Sequence, residues 1–142
     1  MSTSSVSIRL LNSADQEVLA DVAPDVFDGP IQSDLVAEFL SDDRHHLAVA
    51  LDAGRVVGRV VGIGSAVHSV HPDKPTELWI NEVGVAPTHQ RRGIGRSLVQ
   101  ALLEKGRVLG CVEAWVLTDE ENTPARQLYG SAGGEELAVP CT

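Results

Sequence analysis

The run Asn81-Glu82-Val83-Gly84-Val85-Ala86-Pro87-Thr88-His89-Gln90-Arg91-Arg92-Gly93-Ile94-Gly95-Arg96 constrains the fold more than any other part of the chain. An apolar, β-branched stretch enters a Gln-Arg-Arg-Gly-Ile-Gly turn, and an amphipathic helix follows at once. Such a helix start carries backbone N–H groups with no partner inside the helix, and these bind anions. Glycines let a ligand come close to the backbone, and Arg91, Arg92 and Arg96 add cationic donors around the same point. The turn is a place for a pyrophosphate.

Two common phosphate-binding patterns are absent. A dinucleotide fingerprint requires a third glycine where Leu98 stands, and a strand–helix–strand unit near the start of the chain. A Walker loop requires Gly-Lys-Ser/Thr after four spacer residues, and the chain has none. What remains is Gln90-x-x-Gly93-x-Gly95 between a strand and a helix.

Charge supports an anionic ligand at the turn. The net charge is −9, yet residues 88–107 hold five Lys or Arg against Glu104 alone. Residues 10–43 hold nine acids, among them Asp25, Asp28, Asp34 and Glu38, and no Lys or Arg. An acidic protein with one basic island does not offer the extended basic face that nucleic acid requires. It suits an anionic cofactor at the island and a cationic substrate near the acids. Solvated helix faces are the simpler explanation of those acids.

The 142 residues are read as a single domain, 1–142, with enough length for a hydrophobic core. No secretory h-region or membrane-spanning run is visible, and Cys111 and Cys141 form no CxxC pair. The expectation is a cytoplasmic protein with reduced thiols.

Periodicity gives the order β-α-α-β-β-β-α-β-α. Val6–Leu10 reads as a strand, and a helix starts from Ser13 and stops at Pro24. Leu35, Val36, Phe39 and Leu40 mark a second helix. A hairpin joins Leu47–Leu51 to Arg55–Val67, with Gly58, Gly62 and Gly64 marking bulges or close packing. Glu77–Val85 is the central strand. After Gly95, Leu98, Val99, Leu102 and Leu103 form a buried stripe that ends at Gly110. Cys111–Leu117 is the next strand, and Asn122 or Thr123 caps a last helix carrying Tyr129. Together these elements make an α/β sandwich with a mixed, mostly antiparallel sheet flanked by helices.

The turn resembles the acetyl-CoA signature, Gln/Arg-x-x-Gly-x-Gly/Ala, of the GNAT superfamily of N-acetyltransferases. The element order is similar over nearly the whole chain, as are Leu51–Gly58, Val83–Pro87 and Asn122-x-x-Ala125-x-x-x-Tyr129. The resemblance implies a GNAT fold and acetyl-CoA as cosubstrate. It implies coenzyme contacts from Val83, Gly84 and Val85, from Gln90 through Arg96 (Arg91, Arg92, Gly93, Ile94 and Gly95 between them), and from Asn122. One departure stands out. Members follow the last helix with two further strands, whereas Gly133-Gly134 precedes eight residues here. A shortened C-terminal end with one short strand at Glu136–Val139 is expected, and a homodimer is one way to complete the sheet.

Acetyl transfer to an amine requires a base for the amine, a donor for the oxyanion and an acid for the leaving thiolate. It requires no metal. Glu82, among Ile80, Val83 and Val85, is the expected base, because partial desolvation raises a carboxyl pKa; a strand-edge acid paired with an arginine is the alternative, and Glu77 and Asn81 are the fallback positions. Tyr129, the only tyrosine, resembles the tyrosine that GNAT enzymes place near the CoA sulfur. His68-x-x-His71 beside Asp73 lacks the further ligands of a zinc site. His45 and His46 are read as surface histidines, with lining of the acceptor pocket as the alternative, and Trp79 and Trp115 as core, with Trp79 stacking on an acceptor as the alternative.

Glu77-x-x-x-x-Glu82 and Thr118–Ala125 resemble segments of aminoglycoside N-acetyltransferases. This implies a resistance-type activity on a polycationic antibiotic, with Asp28, Glu77, Asn81, Asp119 and Glu120 as acceptor contacts. A protein Nα or lysine acetyltransferase and a non-catalytic acetyl-CoA-binding module are the alternatives.

Overall fold

A computed structural model describes residues 6–53, 58–118 and 121–135. Five strands form one sheet in sequential order: β1 (Val6–Leu10), β2 (His45–Asp52), β3 (Arg59–Ser69), β4 (Glu77–Val85) and β5 (Glu113–Val116). The first four pair antiparallel, and β5 joins β4 in parallel. A parallel neighbour needs a crossover, and α2 (Ile94–Val108) supplies it. Helix α1 (Ser33–Ser41) precedes β2, and α3 (Thr123–Ser131) follows β5. The mixed, mostly antiparallel α/β architecture is the one expected from the sequence.

The apolar stripe of α2 lies on one face of the sheet. Ile94, Leu98, Val99 and Leu102 are buried, whereas Leu103 is only partly covered. Gly62 and Gly64 of β3 bring the helix close: a Cβ there would sit 3.2 Å from a Leu98 methyl and 3.1 Å from a Leu102 methyl. These glycines serve close packing. Burial of each such aliphatic side chain contributes about 1.5–3 kcal/mol.

Three expectations about elements need correction. The helix expected from Ser13 is a 3₁₀ turn, Gln16–Ala20. Buried Asp15 accepts from the Arg9 guanidinium at 2.5 Å and from the Asn12 amide at 2.8 Å, which folds the segment back onto β1. Strand β3 runs to Ser69, past Val67, and its expected beginning at 55–57 lies outside the described residues. Strand β5 spans four residues because Cys111 still donates to the Gly106 carbonyl, closing α2 through Gly110 at φ 86°. The short strand expected at Glu136–Val139 also lies outside the described residues.

His46 corrects a further reading. It is buried at 7% exposure, and its Nε2 meets His68 Nδ1 at 2.8 Å with the rings stacked. Burial first, then the neighbouring His68, Lys105 and His45, pull its pKa down to about 4. A lowered histidine pKa means that the unfolded chain takes a proton that the folded chain refuses. This contribution is therefore intact above about pH 6.5 and is lost as pH falls toward 4. Urea midpoints measured at pH 7 and pH 5 should differ less in His46→Gln than in the parent chain.

Candidate active site

The site is built around an irregularity in β4. Ser65 pairs with Glu82, but Ala66 pairs with Ile80, leaving Asn81 as the extra residue of a β-bulge. The bulge shifts the alternation of faces. Leu78 and Ile80 point to the α2 side, while Glu82 points with Ser65 to the α1 side. Asn81 itself is exposed.

A cavity of about 310 Å³ lies between α1 and this face of the sheet. Its walls include Phe27, Ile31, Leu35, Val36 and Phe39, and Glu82 and Ser65 line it from the sheet. The volume is at the small end of the roughly 300–1,000 Å³ range of ligand pockets. Asp28 borders the cavity and is exposed. Half-buried Glu82 has a pKa raised above the usual carboxylate range, mainly by burial and further by the charge of Asp28. A carboxylate in such a setting accepts a proton near neutral pH more readily than an exposed one.

The segment bringing Phe27 and Asp28 here depends on Gly84. Residues 21–23 bind the end of β3, with Val60 N–H donating to Asp21 O (3.0 Å) and Ala23 N–H to Val60 O (2.8 Å). The chain then crosses β4 so closely that a Cβ on Gly84 would overlap the Val26 carbonyl oxygen.

Beyond Ile80, no described strand covers the outer edge of β4, because β5 pairs only with Glu77–Ile80. Ala86 N–H donates to Val61 O at 2.8 Å, toward β3. By the alternation of an antiparallel ladder, the amides of Val83 and Val85 point away from β3, to the open side. On that side the Val85 carbonyl accepts from Gln90 Nε2 at 3.1 Å, tying the turn to the strand end. His89 is a second tie, its Nε2 lying 2.9 Å from Asp52 Oδ2.

The turn itself alternates in hand: Arg91 has φ 64° and Gly93 φ 77°, both left-handed. Such alternation turns successive amides toward one concavity. Among the described residues, no backbone carbonyl accepts from the amides of Arg91 through Arg96, whereas Ser97 N–H already binds Gly93 O. The position of a Cβ on Gly93 meets nothing within 4 Å. Arg91, Arg92 and Arg96 are exposed and form no ion pair among the described residues. Open amides, a left-handed glycine and three guanidinium groups fit a diphosphate. Gly95 has a different role: a Cβ there would stand 3.3 Å from a Leu128 methyl, so it admits α3 against α2. Ile94 is core.

Tyr129, next to Leu128, is half-buried on α3, and burial pushes its phenol up, keeping it protonated at neutral pH. Asn122 caps α3, its Oδ1 accepting from Ala125 N–H at 3.1 Å. Glu77 lies away from the cavity. Its carboxylate accepts from the Trp115 indole N–H at 2.8 Å, and His71 Nε2 and Lys74 Nζ lie 2.8 and 3.5 Å from its other oxygen. Burial alone would raise its pKa, but Trp115, Lys74 and His71 outweigh that and hold it below the usual value. Asp119 and Glu120 lie outside the described residues. Ser65 and the α1 wall were not anticipated, since nothing in the local pattern marks a bulge at Asn81.

Comparison with known proteins identifies the class. The model of the acetyltransferase (GNAT) family matches residues 14–133. The chain belongs to the GNAT family of acetyltransferases. It is 30% identical to the N-alpha-acetyltransferase RimI of Mycobacterium tuberculosis, over 96% of this chain and 83% of that protein. It is 36% identical to a mycothiol acetyltransferase of Pseudarthrobacter chlorophenolicus over 72% of this chain, and the match spans about a third (32%) of that protein. The fold is similar to that of the aminoglycoside N-acetyltransferase AAC(6')-Iy in complex with a bisubstrate analogue, at TM-score 0.77 and 22% identity, covering 98% of this chain and 97% of that one. Among the described residues no helix is long and apolar enough to cross a membrane.

Proposed function

We propose that the protein moves an acetyl group from acetyl-CoA directly to a primary amine of a small cationic acceptor, with Glu82 as the base. The observation that carries this reading is Glu82 on the cavity wall, beside a strand edge and turn whose amides are open. Gln90 through Arg96 hold the diphosphate, and the outward amides of Val83 and Val85 hold the arm and the thioester carbonyl. The bound coenzyme supplies an activated acetyl group. Glu82 removes the ammonium proton, directly or through water. As the C–N bond forms and the C–S bond breaks, the Tyr129 hydroxyl gives its proton to the leaving thiolate, and the second proton that the nitrogen sheds on becoming an amide restores the phenol by way of solvent.

Aminoglycosides are one candidate class of acceptor, favoured by the carboxylates of Asp28 and Glu82. A protein α-amino group is the second reading, favoured by the likeness to RimI along 96% of the chain. The test is an acceptor screen of aminoglycosides, polyamines, monoamines and peptides, with thiol release matched to acetyl-amine by mass spectrometry. Tyr129→Phe should lower kcat by about 10²-fold, the low end of general-acid effects, with little change in the KM for acetyl-CoA. Thiol release that does not depend on any amine would refute the proposal.

A further inference from the structure

The cavity beside Glu82 narrows the acceptor class, an inference that rests on the transferase reading above. Of the nine acids in residues 10–43, only Asp28 lines the cavity. Asp15 is committed to Arg9, Asp21 to Arg59 and Asp42 to Arg44. Asp34 and Glu38 are exposed on α1 and are not part of the wall. The acidic composition is therefore not gathered where an acceptor would sit.

The wall is instead mostly aliphatic and aromatic, with Ser65 and Gln32 its uncharged polar side chains, and apolar surface reaches the mouth, where Ile31 is 38% and Leu35 52% exposed beside Asp28 and Gln32. A polyhydroxylated polycation would place hydroxyl and ammonium groups against Phe27, Val36 and Phe39, which offer them no partner. Burying polar groups without hydrogen bonds costs about 1–3 kcal/mol each in proteins. An apolar body would instead bury against these side chains, and its single ammonium would meet Glu82 and Asp28.

We propose that the preferred acceptor is a primary monoamine carrying an apolar body, seated between α1 and the sheet with its nitrogen at Glu82. The probes are 2-phenylethylamine, kanamycin and spermidine, compared by kcat/KM with the full chain. The expected result is at least a tenfold preference for 2-phenylethylamine. In Leu35→Asp, a change at a half-exposed position, that preference should fall at least tenfold, because a carboxylate replaces apolar surface at the mouth. Equal or faster turnover of kanamycin or spermidine by the parent chain overturns the proposal and leaves the transferase reading intact. Ligand-observed NMR of 2-phenylethylamine separates the two ideas when no amine turns over. Binding that Leu35→Asp weakens supports the cavity assignment and counts against the transferase reading, and absence of binding overturns the assignment.

Discussion

Glu82→Gln should lower kcat by about 10²–10⁴-fold, the range expected for loss of a positioned general base. The substitution preserves shape and removes only the ability to take a proton, so acetyl-CoA should bind as before. The pH profile gives a sharper signature. Burial and then Asp28 raise the Glu82 pKa, and the base works in its ionised form. In the parent chain kcat/KM should therefore rise with pH along a limb above the ordinary carboxylate range. That limb should vanish in Glu82→Gln. Asp28→Asn should move it toward lower pH, since the repulsion that Asp28 exerts is removed. Stopped or steady-state thiol release across pH 4–9 measures both effects. An unchanged limb in Glu82→Gln would assign the proton transfer to another group.

Gly84→Ala should be the most damaging glycine-to-alanine change among the described residues. The added Cβ overlaps a backbone carbonyl, that of Val26, and no side-chain rotation relieves it. Overpacking of this kind costs about 1–3 kcal/mol and occasionally more. For a chain of this size that is a fall in Tm of roughly 3–10 °C. The damage should also be local: the crossing segment must lift from β4, carrying Phe27 and Asp28 away from Glu82. Calorimetry and the kcat/KM limb read the two consequences separately. A variant with unchanged Tm and rate would show that the crossing is not held against β4. By contrast, the tight contact of Gly95 is with a flexible leucine side chain, so Gly95→Ala should cost far less.

Much of the fold was legible because the physical signals were local. Glu77–Val85 reads as a strand from β-branched alternation, and the observed bounds agree. The stripe Leu98, Val99 and Leu102 reads as a helix face from its period, and those three residues are buried. Asn122 and Pro124 mark the start of α3, where the Asn122 side chain caps the helix. What escaped depends on pairing between distant segments. The bulge at Asn81 exists only in register with Ser65 and Ala66, and it decides which face Glu82 occupies. Glu77 reads as a second acid near Glu82, but its neighbours in space are Trp115, His71 and Lys74. His46 reads as a surface residue, yet strand pairing places it against Ala66 and brings His68 onto it. The carboxylates of residues 10–43 show how composition misleads: their count is high, but the fold disperses most of them into ion pairs or solvent.

In the proposed complex the backbone amides after the fourth strand donate to a coenzyme's diphosphate. Isothermal titration of the full chain with acetyl-CoA, beside acetylpantetheine, which lacks the diphosphate and nucleotide, examines this directly. One acetyl-CoA per chain should bind, with affinity at least tenfold above that of acetylpantetheine. No heat with acetyl-CoA, or equal affinity for the two, would contradict it.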